Sequence, residues 1–433
     1  MKTVSLPNKH PLFAKALYWG KLVTITGGAQ VIIQGVGVLA GILIIRLLPT
    51  EEYAYYTLAN TMLGVMTMLS DGGISNGVTA QGGKVWQDKA RLGVVLASGL
   101  ALRKKFAIGA LSVSLPILAF LLHRNGAGWL TTLLIVAALV PGFLATLSDM
   151  ILEVGPKLHQ QINPLQKNQA EVSLLRLFLS GVSLFIFPFT ATALLVNGIT
   201  RIYGNRRLMK FAYLHADKDS KADAAVEKDI LNAVKRILPP TLYYCFSSQI
   251  IIWIPSMLGN TTGVAQIGAL SRLSMVLNLF SFLVSILILP RFARIDSHRH
   301  DDVLKLFTYV QLMLISMSLC IIAVFYTFPA QFLWILGDSY SNLSRELSLM
   351  IVSSSIGLLS NLTAQLIGSR GWFVHPLIII GINILSIVIS YYAFNLSQIT
   401  GVLYYDILLN SIAYLSIISY GLIRMKRPAI NAV

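Results

Sequence analysis

Arg206-Arg-Leu-Met-Lys210-Phe-Ala-Tyr-Leu-His-Ala-Asp-Lys218-Asp-Ser-Lys221 opens a basic segment that runs to Arg236 and divides the 433-residue chain near its middle. On either side lie mostly apolar runs, twelve in all, each near the roughly 20 residues that cross a ~30 Å hydrocarbon core. Basic segments are retained on the cytoplasmic side of a membrane, so the placement of Arg206–Arg236 decides how the other runs thread. Just before it stand two short runs, Ser173–Phe187 and Thr190–Tyr203, separated by Pro188. Read as one kinked helix, they would put Arg206–Arg236 outside and invert everything after it. Read as two, they leave 29 of the 34 Lys and Arg residues inside. The two-helix reading is adopted, and a multi-pass membrane protein with both termini cytoplasmic is expected.

The remaining spans of the first half cover about Val23–Arg46, Tyr53–Ile74, Phe106–Leu122 and Trp129–Leu152. Those of the second cover about Leu238–Leu258, Val264–Leu289, Phe307–Phe328, Leu347–Ile367, Leu377–Phe394 and Gly401–Leu422. Met1–Lys21 reads as a basic leader, and Val78–Lys105 as an interfacial helix with Trp86 at headgroup level. A polar stretch, Glu153–Glu171, precedes the fifth span. The predicted division is 1–205, 206–237 and 238–433, two groups of six spans joined by a linker whose Ala222–Ile237 portion is amphipathic.

A hydrophobic share of 55% against 12% charged residues leaves little room for a soluble domain. The net charge of +16 would suit nucleic acid, but the basic residues flank apolar runs, where orientation and anionic headgroups account for them. No nucleic-acid partner is expected. Cys245 and Cys320 lie in separate spans without paired spacing and read as small buried hydrophobes rather than a disulfide or a metal site.

A shift of 212 positions lays Leu147-Ser-Asp149 over Leu359-Ser-Asn361, Pro164-Leu165 over Pro376-Leu377, and Leu58-Ala-Asn60 over Leu270-Ser-Arg272. Six spans per half is an even number, so both halves share one orientation. Parallel repeats of this kind are related by an axis along the membrane normal and enclose a central site.

Arg46-Leu-Leu-Pro-Thr-Glu-Glu-Tyr53, Leu69-Ser-Asp71-Gly-Gly, Leu289-Pro-Arg-Phe-Ala-Arg294 and Gly368-Ser-Arg-Gly-Trp372 carry a resemblance that extends over essentially the whole chain. In these motifs it resembles the polysaccharide-unit flippases of the multidrug/oligosaccharidyl-lipid/polysaccharide (MOP) exporter superfamily. The resemblance implies an all-α membrane protein of about twelve spans, in two six-helix lobes forming a V around a central cavity. It also implies a bacterial inner membrane, alternating access, and a substrate of undecaprenyl pyrophosphate carrying a sugar repeat unit for O-antigen, capsule or exopolysaccharide. Cationic side chains would meet the pyrophosphate while the lipid tail stays in the bilayer. A polysaccharide polymerase and a chain-length regulator would be partners of such a protein, itself expected to be a monomer.

Charge inside a membrane is costly unless paired or hydrated, so ionisable residues within spans are the site candidates. Arg272 lies about eight residues into its span, roughly 12 Å deep. It could hold a pyrophosphate bidentately in a wet cavity, or pair structurally with Asp406 at comparable depth in the last span. Arg46 closes the first span at the outer face and either snorkels to headgroups or meets an outward-open cavity. Arg176 is placed just inside the cytoplasmic interface, as an anchor or a further substrate contact. Asp71, beside two glycines, either closes an inner gate by pairing with a cation or is a solvated helix end. Asp149 and Glu153 stand one turn apart near the inner face, with lobe contact or hydration preferred to proton coupling. Asn60 occupies the repeat position of Arg272 and either hydrogen-bonds sugar or bridges helices.

Several motifs carry no chemistry. Gly35-Val-Gly37-Val-Leu-Ala-Gly41 resembles a dinucleotide loop but lies inside a span with no strand before it, so it reads as close helix packing. Gly83-Lys84 is followed by Val85, not Ser or Thr, and is no phosphate loop. His298, His300, Asp301 and Asp302 surround Arg299 and read as a solvated loop rather than a metal site. The expectation is a non-enzymatic flippase without cofactor, open to coupling with an H⁺ or Na⁺ gradient or the membrane potential. Its rivals are a drug/cation antiporter, which needs an acidic site, and a glycan polymerase or ligase. The latter needs a large external catalytic loop, and the longest here, about Pro329–Glu346, is sparsely charged.

Overall fold

The computed structural model describes residues 11–289, 292, 295, 300–370, 372 and 376–426. Met1–His10 of the leader, most of Leu289–Arg294 and Gly371 lie outside the described residues. Among those described the chain is helical, with no strand. The first half holds α1 (Pro11–Leu47), α2 (Thr50–Asp71), α3 (Ile74–Val85), α4 (Lys89–Arg124), α5 (Trp129–Leu152), α6 (Val154–Leu158), α7 (Ile162–Ile186) and α8 (Thr190–Ala212). The second holds α9 (Ala224–Ser247), α10 (Ile250–Met257), α11 (Thr261–Ser274), α12 (Val276–Leu287), α13 (His300–Thr327), α14 (Pro329–Leu336), α15 (Ser344–Gly368), α16 (Pro376–Ala393) and α17 (Ile399–Lys426).

Seven of these helices are long and apolar enough to cross a membrane unaided, and the bent pairs α9–α10 (48°) and α11–α12 (41°) raise the number to nine. α2, α8 and α16 complete twelve. α2 can carry Glu51, Glu52 and Asp71 because it is shielded: Tyr53 through Ala59 are all buried among neighbouring helices. α7 and α8 form a hairpin rather than one kinked rod. Asn168 Nδ2 donates to Gly204 O at 3.1 Å and Arg207 pairs with Glu171, contacts that only antiparallel helices can make.

The 212-residue repeat extends through the helix boundaries. Shifted by that interval, α4 falls on 301–336, where α13 and α14 run from 300 to 336; α8 falls on 402–424, inside α17. One expectation needs correcting. Val78–Lys105 is not one interfacial helix: α3 stops at Val85, and Asp88 restarts the chain by accepting from the Ala90 and Arg91 amides at 3.0 and 3.1 Å. From there α4 runs unbroken through the third span. The amphipathic portion of the linker is helical from Ala224 on and continues as α9 into the seventh span.

The cores explain the V. One large apolar cluster, opposite the basic segments, joins both halves: Ile44, Tyr53, Met62 and Leu122 pack there with Val264, Leu270, Leu347 and Leu403. Towards the basic segments the halves have separate cores. Leu277, Phe307, Leu362 and Met425 form one from the second half alone; Ile74, Leu96 and Ile151 form the other, with Ile230 and Val234 of α9. The legs are thus fused at the far face and part towards the basic face. The docking of α9 depends on the turn after α2. Gly72 and Gly73 have φ of +48° and +97°, and a Cβ on either would stand 2.9 Å from Leu238 or Ile237 of α9. Both the left-handed turn and the close approach exclude a side chain there.

Candidate functional site

Arg272 lies in the last turn of α11, just before the bend at Met275. Arg176 lies in α7, ten residues from its far-face end, so both Cα atoms sit about 15 Å below the far-face ends of their helices. That moves Arg176 from its expected place near the basic face. The polar residues from Ile162 onward are helical, so the helix starts well before the apolar run and carries Arg176 to mid-depth.

The two arginines, one from each half, meet the same side of α1. An ideal Cβ on Gly37 would stand 3.8 Å from Arg176 Nη2, and one on Gly41 would stand 3.2 Å from Arg272 Cδ. These glycines are one turn apart and so share a face. On the other side of Arg272 are the phenols of Tyr53 and Tyr56 from α2. Tyr53 is fully buried, its phenol set against the Arg272 guanidinium. Tyr56 lies within electrostatic range of both arginines. Among the described residues neither Arg176 nor Arg272 forms an ion pair with a carboxylate.

Asp406 is therefore not the partner of Arg272. It accepts from Ser353 Oγ on α15, and Asn410 Nδ2 donates to the same hydroxyl at 3.0 Å. Similar depth did not put the two residues on facing sides of their helices. Asn60 follows Tyr56 by one turn, half-exposed and without a hydrogen bond among the described residues. Below the arginines, Asn278 and Asn361 are exposed at membrane depth. Asn361 accepts from Gln365 Nε2 of its own helix at 2.7 Å.

The other candidates are engaged elsewhere. Arg46, exposed at the far-face end of α1, donates to Ile335 O at 2.9 Å and to Trp334 O, capping α14 across the seam between halves. A second far-face tie stands beside it. Asn125 Nδ2 donates to Ser256 O and Oγ at 3.1 and 2.7 Å, and Thr261 Oγ1 donates to Asn125 O at 3.1 Å. Asp71 accepts from the Gly73 and Ser75 amides and pairs at 3.5 Å with Arg103 of α4, inside the first half. Asp149 accepts from Asn205 at 2.6 Å and stands 3.5 Å from Arg201. Glu153 pairs with Lys157 at 2.6 Å.

Sequence reasoning missed Arg103, Tyr53 and Tyr56. Arg103 is fully buried and donates to Leu147 O at 2.7 Å. Its signal was its register, since Leu92, Leu96, Gly99 and Arg103 follow one another at helical spacing on one face. Among the described residues no three His, Cys, Asp or Glu side chains converge on a point. Of the group around Arg299, His298 lies outside the described residues, as do the side chains of His300 and Asp301.

No protein-family model and no curated protein sequence matches the chain. Solved structures do. An inward-facing multidrug resistance MATE family transporter of the MOP superfamily superposes with a TM-score of 0.73 at 14% identity, over 90% of this chain and 94% of that one. An outward-facing transporter of the same description gives 0.64 at 14% identity, over 93% and 94%. A MOP superfamily transporter from Pyrococcus furiosus, described by a reversed polarity of its binding pocket that suggests a different function, gives 0.66 at 14% identity, over 93% and 94%. Across about nine-tenths of its length, the chain has the V-shaped fold of MOP superfamily transporters.

Proposed function

We propose that the protein is a membrane transporter that flips an undecaprenyl-pyrophosphate-linked oligosaccharide from the cytoplasmic to the periplasmic leaflet. The observation that carries this reading is the pair Arg176 and Arg272, brought from opposite halves to one face of α1 with no carboxylate between them. Guanidinium groups match the oxygens of a pyrophosphate bidentately, and the ligand supplies the charge that the protein leaves open. Asn60, Asn278 and Asn361, polar side chains at or below the level of the arginines, suit hydroxyl-rich sugar. The lipid tail would remain in the bilayer.

In this reading the basic face is cytoplasmic, 1–205 and 238–433 are the lobes, and 206–237 joins them. The V, open to the basic face, is the loading state, in keeping with the higher similarity to the inward-facing than to the outward-facing relative. Release on the other side requires the far-face ties of Arg46 and Asn125 to part. A ligand drives that step only through its different affinity for the two states.

A second reading, a drug/cation antiporter, is favoured by one feature. Asp406 is a carboxylate within a span, held by Ser353 with no cation paired to it among the described residues. Two variants separate the readings. Arg272→Ala should abolish surface glycan assembly while the protein still accumulates in the membrane. Asp406→Asn should leave glycan assembly intact. Drug sensitisation by Asp406→Asn, with full glycan assembly in Arg272→Ala, would reverse the choice.

A further inference from the structure

Three glycines of α1 differ in what a methyl group would meet. At Gly35 there is nothing within 4 Å; at Gly37 the first atom is Arg176 Nη2 at 3.8 Å; at Gly41 Arg272 presents Cδ at 3.2 Å and Nε at 3.6 Å. None of the three has a positive φ, so none is required by backbone conformation. Glycine in a helix interior is less stable than alanine, and at Gly35 the structure offers no packing reason for it. Gly41 has one: it is a notch for the stem of an arginine that belongs to the other half.

Resting on the anion-site reading above, we infer that Gly41 is a positioning residue that docks Arg272 of the second half between α1 and α2 of the first. The guanidinium then lies beside the Tyr53 and Tyr56 phenols while its stem fills the notch. The notch and its occupant lie close under the core that fuses the halves, where Leu270 and Leu273 of α11 pack with Ile44 and Ile45 of α1. Separating the halves at the far face withdraws Arg272 from the notch, so the two-arginine site exists only while that face is closed. Anion affinity is thereby tied to the loading state, which supplies the differential binding that transport needs.

The test is a graded series in the purified full-length protein, with inorganic pyrophosphate as the calorimetric probe. Arg176→Ala and Arg272→Ala each weaken binding by about tenfold or more, as expected for a lost charge-assisted contact. Gly41→Ala weakens it by about fivefold through displacement of Arg272, without lowering the melting temperature. Gly37→Ala and Gly35→Ala stay within about twofold of wild type, since ordinary contact or open space receives the methyl. Pyrophosphate binding that survives both arginine substitutions sinks the anion-site reading. Equal affinities in Gly41→Ala and Gly35→Ala, with the arginine effects present, overturn the positioning role alone. A ligand-free readout stands beside these: phenylglyoxal modification of Arg272, followed by mass spectrometry, rises in Gly41→Ala but not in Gly35→Ala. Equal modification in both variants refutes the notch whatever the ligand.

Discussion

Arg103 and Arg272 are both arginines carried deep into apolar surroundings, and the protein treats them in opposite ways. Arg103 is sealed within the first half, with Asp71 at 3.5 Å, Leu147 O at 2.7 Å and Asp149 near enough to feel its charge. Arg272 lies at the seam, mostly buried, with phenols for neighbours and no acid. A buried ion whose partners are internal is structure; an ion at a wet seam without a counter-charge is open to the charge of a ligand. The difference separates a residue that keeps the fold from one available to function.

Breaking the comparison at its structural end should have the largest effect. Arg103→Leu leaves Asp71 largely buried without its cation and is expected to cost about 3–5 kcal/mol, seen as loss of monodisperse protein on size exclusion. At the functional end, Arg272→Lys should keep the melting temperature of the wild type and recover only a small part of its glycan export. An ammonium carries the charge without the planar fork. Full activity with lysine would mean that charge alone is read at that position.

Two smaller effects sharpen the contrast between seam and interior. Asn125→Ala orphans the Ser256 hydroxyl at the far-face tie and should cost about 1–3 kcal/mol, measurable in thermal melts. It should also raise labelling of a Ser271→Cys probe from the far side, because that tie holds the halves shut. The smallest effect lies on the basic face, where His215 stacks on His159 with ring centroids 4.0 Å apart. Burial, then His159 and Lys89, push the His215 pKa below its ordinary value. The unfolded chain then binds more protons than the folded one, so stability falls as pH drops through about 6.5. His215→Asn should flatten that part of the melting-temperature profile.

Much of the fold could be read from residues alone, for identifiable reasons. Charge distribution resolved Ser173–Tyr203 into a hairpin where hydropathy could not, and three weak matches at one offset marked a repeat that the helix ends follow closely. The site was legible only in part. Arg272 was singled out by depth, but its neighbours depend on the azimuth of several helices, which one-dimensional depth does not carry; hence Asp406, offered as its alternative partner, pairs elsewhere. Arg176 was set too near the basic face because helix formation continues through Ile162–Glu171, where no apolar run announces it. Of the α1 glycines read as close packing, only Gly41 is tightly packed, and what packs against it is an arginine stem, not another backbone.

The unbroken course of α9 from Ala224 to Ser247 has a mechanical consequence. A slack tether would let the second leg swing without informing the first. α9 instead stays helical through Pro239 and Pro240, seated on Gly72, Gly73 and Gly77 at one end and built into the second leg at the other, so the two legs share one element. Movement of one leg therefore bears on the turn between α2 and α3, at the mouth on the basic face.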